Sequence, residues 1–263
     1  MRSAELVGVA VDSPNALKVL ANIAVALWRT RRPNPSGSGE VDHGQFAPIL
    51  RTLASRGLPG AEGLAEQVDS YCSKLSTVEP DTLTRDESLA YWVNLYNAGA
   101  VGLAIEAFND GQPSVLRVPG GFSRPLVMVA GEELSLDAIE HGKIRRFGDP
   151  RIHGALICGS VSCPTLRVSP YTGEGLDDQL DDQMRAFLAG GGAVAGEGDA
   201  VELSRILLWY GADYVRPHRM PVFLPAGKRR ILEAVRPWLS EHLQSRTRVV
   251  FQDYEWGLAC SVR

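Results

Sequence analysis

Apolar residues near the start of the chain recur at intervals of three and four. In "ALKVLANIAVALW", Leu17, Leu20, Ile23, Ala24, Leu27 and Trp28 share one face of a 3.6-residue period, which predicts an amphipathic helix over 16–28. The stretch "TRDESLAYWVNLYNAGAVGLAIEAF" differs: it is apolar nearly all round, the pattern of a helix at the centre of a domain. Thr84 and Glu87 stand in the spacing of a capping box, so a central buried helix is expected at about 85–108. Three more helices are predicted: "LSLDAIEHGKIRRF" between a Ser135 cap and Gly148, "DQLDDQMRAFLAG" ending at Gly190 to Gly192, and "RRILEAVRPWL" closed by Pro237.

Short apolar runs bounded by glycine predict strands. "PLVMVAG" over 125–131 and "RIHGALICG" over 151–159 read as strands buried on both faces. Val201 to Leu203 reads as a strand leading into a helix capped by Ser204. The pattern predicts an α+β fold: a helix-rich single domain around a small sheet. "RTRRPNPSGSGEVDHG", rich in Pro, Gly and Ser, reads as a flexible connector that separates an N-terminal helical arm over 1–40 from a main domain over 41–263.

Composition narrows the function classes. With 263 residues and a net charge of -4, the chain is long enough for a substantial core and lacks the concentrated basic surface of a nucleic-acid binder. Arg29, Arg31 and Arg32, and Lys228 to Arg230, read as solvated clusters. The apolar run over 16–28 is too short to span a bilayer and follows Glu5 and Asp12 in place of a basic leader, so a cytoplasmic protein without a membrane partner is expected. Four cysteines without paired spacing advertise no metal site, and no cofactor motif is present: the glycine-rich loops lack a P-loop pattern.

The candidate chemistry concentrates in "IHGALICGSVSCPTLR", 152–167. Pro164 suits a first helical position, which would place Cys163 at the N-terminus of a short turn through Leu166, where the helix dipole favours a thiolate. On a strand, Cys158 packs into the core, and His153 lies ~16 Å from it at ~3.3 Å per residue, so Cys163 reaches His153 only if the loop 159–162 doubles back. Five-residue spacing is not the CxxC pattern of a redox pair. His141, beside Glu140, is a second base, and Glu140 could line the same cleft. Asn94 and Asn97 share a face of the central helix; each is either a polar clamp for a neighbouring loop or the orienter of a catalytic histidine.

Taken in order, "YWVNLYNA", "LSLDAIEHG", "DPRIHGALICGSVSCPTLR", "YTGEGLDDQL" and "LSRILLWYGADYV" resemble the family known as domain of unknown function 547. The closing "FQDYEWGLAC" resembles that family's last motif, with Ala259 where Asn is usual, and the resemblance runs from about Val41 to Cys260. It implies that Asn94, Asn97, Glu140, His141, Arg151, His153, Cys163, Pro164, Trp209, Tyr210 and Asp213 occupy motif positions. The Asn, Glu, His and Cys set is similar to the equipment of papain-like or transglutaminase-like thiol enzymes. The expected function is therefore a cysteine-dependent hydrolase or acyltransferase acting on amide or thioester bonds of a small-molecule or peptide substrate. Cys163 is its nucleophile, His153 or His141 its base, and Asn94 or Asn97 the orienter. The alternative is a non-catalytic interaction or scaffold domain with a buried Asn/His/Cys network.

Overall fold

A computed structural model describes residues 16–61 and 63–263, leaving outside it the first part of the expected arm, with Glu5 and Asp12. The chain is a helix-rich α+β domain organised on α4 (Arg85–Asn109), whose residues are buried on every face over most of its length. Thr84 caps this helix by accepting from the Glu87 backbone N–H at 3.2 Å. The Glu87 carboxylate does not close the capping box. It accepts instead from the backbone of Val41 at 3.2 Å and Gly173 at 2.6 Å, tying two distant segments to the start of α4.

On α4 pack α3 (Leu64–Ser76) and α5 (Leu136–Gly142), with α2 (Phe46–Arg56) against α3 and α1 (Ala16–Arg29) against α5. Strands β1 (Val127–Val129) and β2 (Glu132–Leu134) form an antiparallel hairpin through Ala130 and Gly131, both at positive φ as a tight hairpin turn requires. A second apolar cluster gathers α6 (Leu176–Phe187), β3 (Ala193–Ala195), β4 (Ala200–Leu203), α7 (Arg205–Trp209), α8 (Gly211–Val215), α9 (Lys228–Val235), α10 (Glu241–Gln244) and β5 (Arg248–Phe251). Its sheet has the order β3-β4-β5, with β3–β4 antiparallel and β4–β5 parallel. The strand and helix read around Ser204 are present: β4 leads into α7, and the Ser204 hydroxyl accepts from the Ile206 N–H at 3.3 Å. Among the described residues no helix is long and apolar enough to cross a membrane.

The connector before the main domain is not slack. Ser36 and Gly37 donate to the carbonyls of Asp81 and Leu83, and Gly39 bridges Leu83, so the segment lies as a strap along 81–83. The arm helix α1 docks on α5: Arg146 donates to the carbonyls of Thr30 at 3.0 Å and Leu27 at 2.6 Å. Gly142 permits that contact, since a Cβ there would fall 2.2 Å from Thr30 Oγ1.

Several expected elements differ: the strand expected over 125–131 spans Val127–Val129 with Met128 exposed, so it is not buried on both faces, and the helix expected from Ser135 to Gly148 ends at Gly142 and is followed by a 3-10 turn. Residues 151–159 are not a strand: Pro150–Gly154 forms a 3-10 turn, and the chain continues irregularly to Cys158. Asp149 accepts from the Arg151 N–H at 2.9 Å, and Pro150 sits at the first helical position, so the local sequence favours a capped turn. Nor does a helix follow Cys163. Leu166 instead bridges Val262, because the C-terminal tail offers the backbone partner.

The absent strand partner explains the asparagines of α4. Asn97 donates from Nδ2 to the Ala155 carbonyl at 3.0 Å and accepts at Oδ1 from the Ile157 N–H at 3.1 Å. Asn94 makes the same two-bond clamp on Tyr171, at 2.8 and 3.0 Å. Each side chain imitates a strand neighbour inside the core. Removing one orphans a buried carbonyl and N–H, at about 1–3 kcal/mol. Asn94→Ala and Asn97→Ala are each expected to lower unfolding free energy by about that amount in urea titration, and unchanged stability would contradict the clamp.

Candidate active site

The two apolar clusters meet at a cavity of about 300 Å3. Cys163 and Cys158 line it together with Glu140, His141 and His153, so residues scattered over the sequence from 140 to 163 share one space. Asn94 and Asn97 do not line it; the structure separates these clamps from the histidines they were candidates to orient.

Cys163 reaches the cavity because the chain doubles back after Cys158. Gly159 makes the reversal at φ +77°, and a Cβ there would also fall 2.8 Å from Val115 Cγ1. The returning loop is held from outside by the C-terminal tail: Val161 N–H donates to the Gly257 carbonyl at 2.9 Å, Ala259 N–H to Gly159 at 3.1 Å, and Glu255 N–H to Ser162 Oγ at 2.9 Å. Ala259, at the position where the resembling family usually carries Asn, serves this clamp through its backbone. The same tail delivers Tyr254, whose hydroxyl lies 3.3 Å from Cys163 Sγ, 3.1 Å from Cys158 Sγ and 2.7 Å from Ser160 Oγ. Cys158 is thus not the core residue that strand alternation predicts: its sulfur bonds Ser160 and Tyr254 at the cavity wall.

This environment separates the two thiols. Burial opposes ionisation of Cys163, but the neighbouring Cys158 and Ser160 side chains, the Tyr254 hydroxyl at 3.3 Å and the Cys158 N–H at 2.9 Å stabilise the thiolate and hold it below the usual thiol range. Cys158, hydrogen-bonded to the thiolate of Cys163 and buried, is pushed well above the usual thiol range. Donors from the loop and tail therefore replace the helix dipole expected at Cys163.

The histidines take different roles from one buried carboxylate. Asp213 on α8 accepts from Arg145 Nε at 2.8 Å and Nη2 at 3.0 Å, from the Val222 N–H at 2.7 Å, and meets His153 Nε2 at 2.9 Å. Burial alone would raise the Asp213 carboxyl, but the His153 hydrogen bond and the Arg145 charge hold it well below the carboxylate range. An ionised Asp213 can only accept, so His153 Nε2 carries a proton, and in the neutral tautomer of that ring the lone pair is on Nδ1. Tyr210 stacks on the same ring at 4.0 Å between centroids and fixes its plane.

Arg145 also donates to His141 Nδ1 at 3.2 Å, which assigns the proton of the neutral His141 ring to Nε2. Burial brings His141 down to about 4, with Arg145 adding to the fall against the pull of Glu140. His141 is neutral near pH 7, with Nδ1 engaged by Arg145 and its hydrogen on Nε2. Glu140 accepts from the hydroxyls of Tyr210 at 2.7 Å and Tyr96 at 3.2 Å. Burial would favour its neutral acid, but the facing His141 and the Tyr210 hydroxyl keep it below its usual range.

Asp213 and Tyr254 are the functional candidates that residue patterns undervalued: Asp213 reads as a helix cap, and Tyr254 as part of an aromatic tail. Arg151, also a motif position, pairs with Asp149 and Asp177 away from the cavity. Among the described residues no group of three or more His, Cys, Asp and Glu side chains is placed to hold a metal ion.

Residues 80–188 match the model of the family described as "Protein of unknown function, DUF547". The matched segment holds Glu140, His141, His153, Cys158 and Cys163; Asp213 and Tyr254 lie beyond it. No curated protein and no solved structure matches the chain.

The alkylation rate of Cys163 by iodoacetamide should rise with pH and level off above a midpoint below that of an ordinary cysteine thiol, because only the thiolate reacts. Tyr254→Phe, which removes a donor to the thiolate, is expected to move that midpoint upward. An unchanged midpoint would remove Tyr254 from the account.

Proposed function

We propose that the domain is a thiol-dependent hydrolase or acyltransferase with Cys163 as nucleophile, His153 as base and acid, and Asp213 as the group that orients His153. The observation that carries this reading is the shared cavity: an acidified thiol and an imidazole paired with a buried carboxylate open into the same space. Nucleophile, base and orienter are recognised by such roles and not by chain order.

In this reading the thiol proton of Cys163 already rests on His153 Nδ1, and the Cys163 thiolate bonds the substrate's carbonyl carbon. The carbon–nitrogen or carbon–sulfur bond of the amide or thioester then breaks, and His153 returns the proton to the leaving group. Water or an amine, giving its proton to His153, attacks the acyl-thioester and releases Cys163 as thiolate. His141, with its Nε2 proton, supplies a neutral hydrogen-bond donor to the cavity in which the oxyanion develops. Tyr254 holds the resting thiolate.

The cavity wall supports a particular kind of acyl group. Trp209, Tyr254 and Trp256 pack together with centroids 4.5–5.8 Å apart, and Val115, Leu156 and Ile206 complete a mainly apolar wall. The charged side chains among the described lining residues are carboxylates, Asp137 and Glu140, with no lysine or arginine. Such a wall favours neutral or cationic apolar acyl groups over anionic ones.

The scaffold reading draws on the clamps of Asn94 and Asn97, which act on structure alone. A panel of p-nitrophenyl esters and aryl thioesters with neutral, cationic and anionic acyl groups separates the two readings. Turnover is expected for neutral or cationic apolar members, with loss to background in Cys163→Ala and a fall of about 10²–10⁴-fold in kcat for His153→Ala. Turnover that persists in a folded Cys163→Ala would overturn the enzyme reading in this form; absence of turnover across the panel, with both asparagine variants destabilised, would favour the scaffold.

A further inference from the structure

Acyl transfer at Cys163 leaves Cys158 without a chemical role, although the second thiol is built into the same wall. Both are free thiols. Cys163 Sγ rests 2.9 Å from the backbone nitrogen of Cys158, and one tyrosine hydroxyl touches both sulfurs, at 3.1 Å from Cys158 and 3.3 Å from Cys163. The connecting loop turns at Gly159, whose positive φ brings the two residues side by side. Its tip is open: Val161 is 51 % exposed. Cys72 and Cys260 do not line the cavity, and each is pushed up to about 12, first by burial.

We propose that Cys158 and Cys163 form a two-electron redox pair that reduces a small hydroperoxide entering the cavity and closes to a reversible disulfide. Cys163 thiolate attacks the outer peroxide oxygen; a sulfur–oxygen bond forms, the oxygen–oxygen bond breaks, and the leaving oxygen takes a proton from solvent to depart as water or an alcohol. Cys158 then attacks the Cys163 sulfenic acid: the sulfur–sulfur bond forms, the sulfur–oxygen bond breaks, and the hydroxyl leaves as water with the Cys158 proton. The dithiol is oxidised by two electrons and the peroxide reduced by two; an external thiol restores the pair by exchange. While the disulfide stands, Cys163 is unavailable as a nucleophile, so oxidation shuts off any acyl transfer. The pair requires a reactive Cys163 but not the acyl-transfer reading, and its test is read on the thiols alone.

The full chain, reduced and freed of reductant, is exposed to stoichiometric hydrogen peroxide, alkylated and digested with trypsin. Cleavage after Arg151 and Arg167 releases both cysteines in the single peptide 152–167. The expected product is that peptide two hydrogens lighter and unalkylated, returning to the doubly alkylated form after dithiothreitol. Two of the four cysteines lose reactivity. Cys158→Ser, lacking the resolving thiol, should accumulate a Cys163 sulfenic acid that dimedone traps. The proposal is overturned if wild-type Cys163 advances to sulfinic or sulfonic acid while Cys158 remains alkylatable. It is equally overturned if the disulfide involves Cys72 or Cys260, or if both thiols of the peptide stay reduced. These outcomes are read on wild type, so a poorly folding Cys158→Ser leaves the test intact. They hold whether or not any ester is turned over.

Discussion

The Asp213 carboxylate is the constraint on which the cavity depends. Fully buried, it must be compensated, and the fold surrounds it with Arg145, His153 and the Val222 N–H. Arg145, itself 2 % exposed, would be an uncompensated buried cation without it, a situation that costs about 3–5 kcal/mol when one partner of a buried pair is removed. The same pair divides the labour of the imidazoles. Asp213 accepts from His153 Nε2, which puts the lone pair of the neutral ring on Nδ1; Arg145 donates to His141 Nδ1, which puts the hydrogen of that ring on Nε2. Two histidines of the same intrinsic chemistry thereby acquire opposite characters in one space.

A second constraint acts on the thiols. A loop that carries Cys163 into a cavity needs a brace, and the C-terminal tail provides it with backbone bonds on both sides of Cys163 and with the Tyr254 hydroxyl between the two sulfurs. The tail therefore couples the end of the chain to the ionisation of a residue ninety positions earlier. Asn97, from the opposite side, fixes the descent from the 3-10 turn to Cys158. Helix, turn and tail hold the loop from separate directions, so the sulfur position is set by the whole domain.

Much of this was legible in the residues where a single element decides its own structure. The all-round apolar block gave α4 within a residue of its ends, and Ser135, Ser204 and Thr84 cap the helices they precede. The family resemblance placed Cys163, His153, His141 and Glu140 on motif positions, and they share the cavity. What failed depended on distant partners. "RIHGALICG" is apolar in the manner of a buried strand, but burial among helices, with Asn97 supplying the backbone bonds, accommodates a turn equally well. Likewise Cys163-Pro164 suits a helix start locally, and only pairing with the tail draws it extended. Asp213 carried no local sign of its role, because the residues that ionise it, Arg145 and His153, are 68 and 60 positions away.

The central claim is that Cys163 carries an acyl group in a cavity ordered by Asp213. Its most direct measurement is acid-quenched mass spectrometry of the full chain after brief exposure to an aryl thioester with a neutral apolar acyl group. One acyl group should appear per chain, located to Cys163 in the peptide 152–167 and discharged by hydroxylamine. An acyl group on another residue, or one that forms equally on the folded Cys163→Ala protein, would contradict the account.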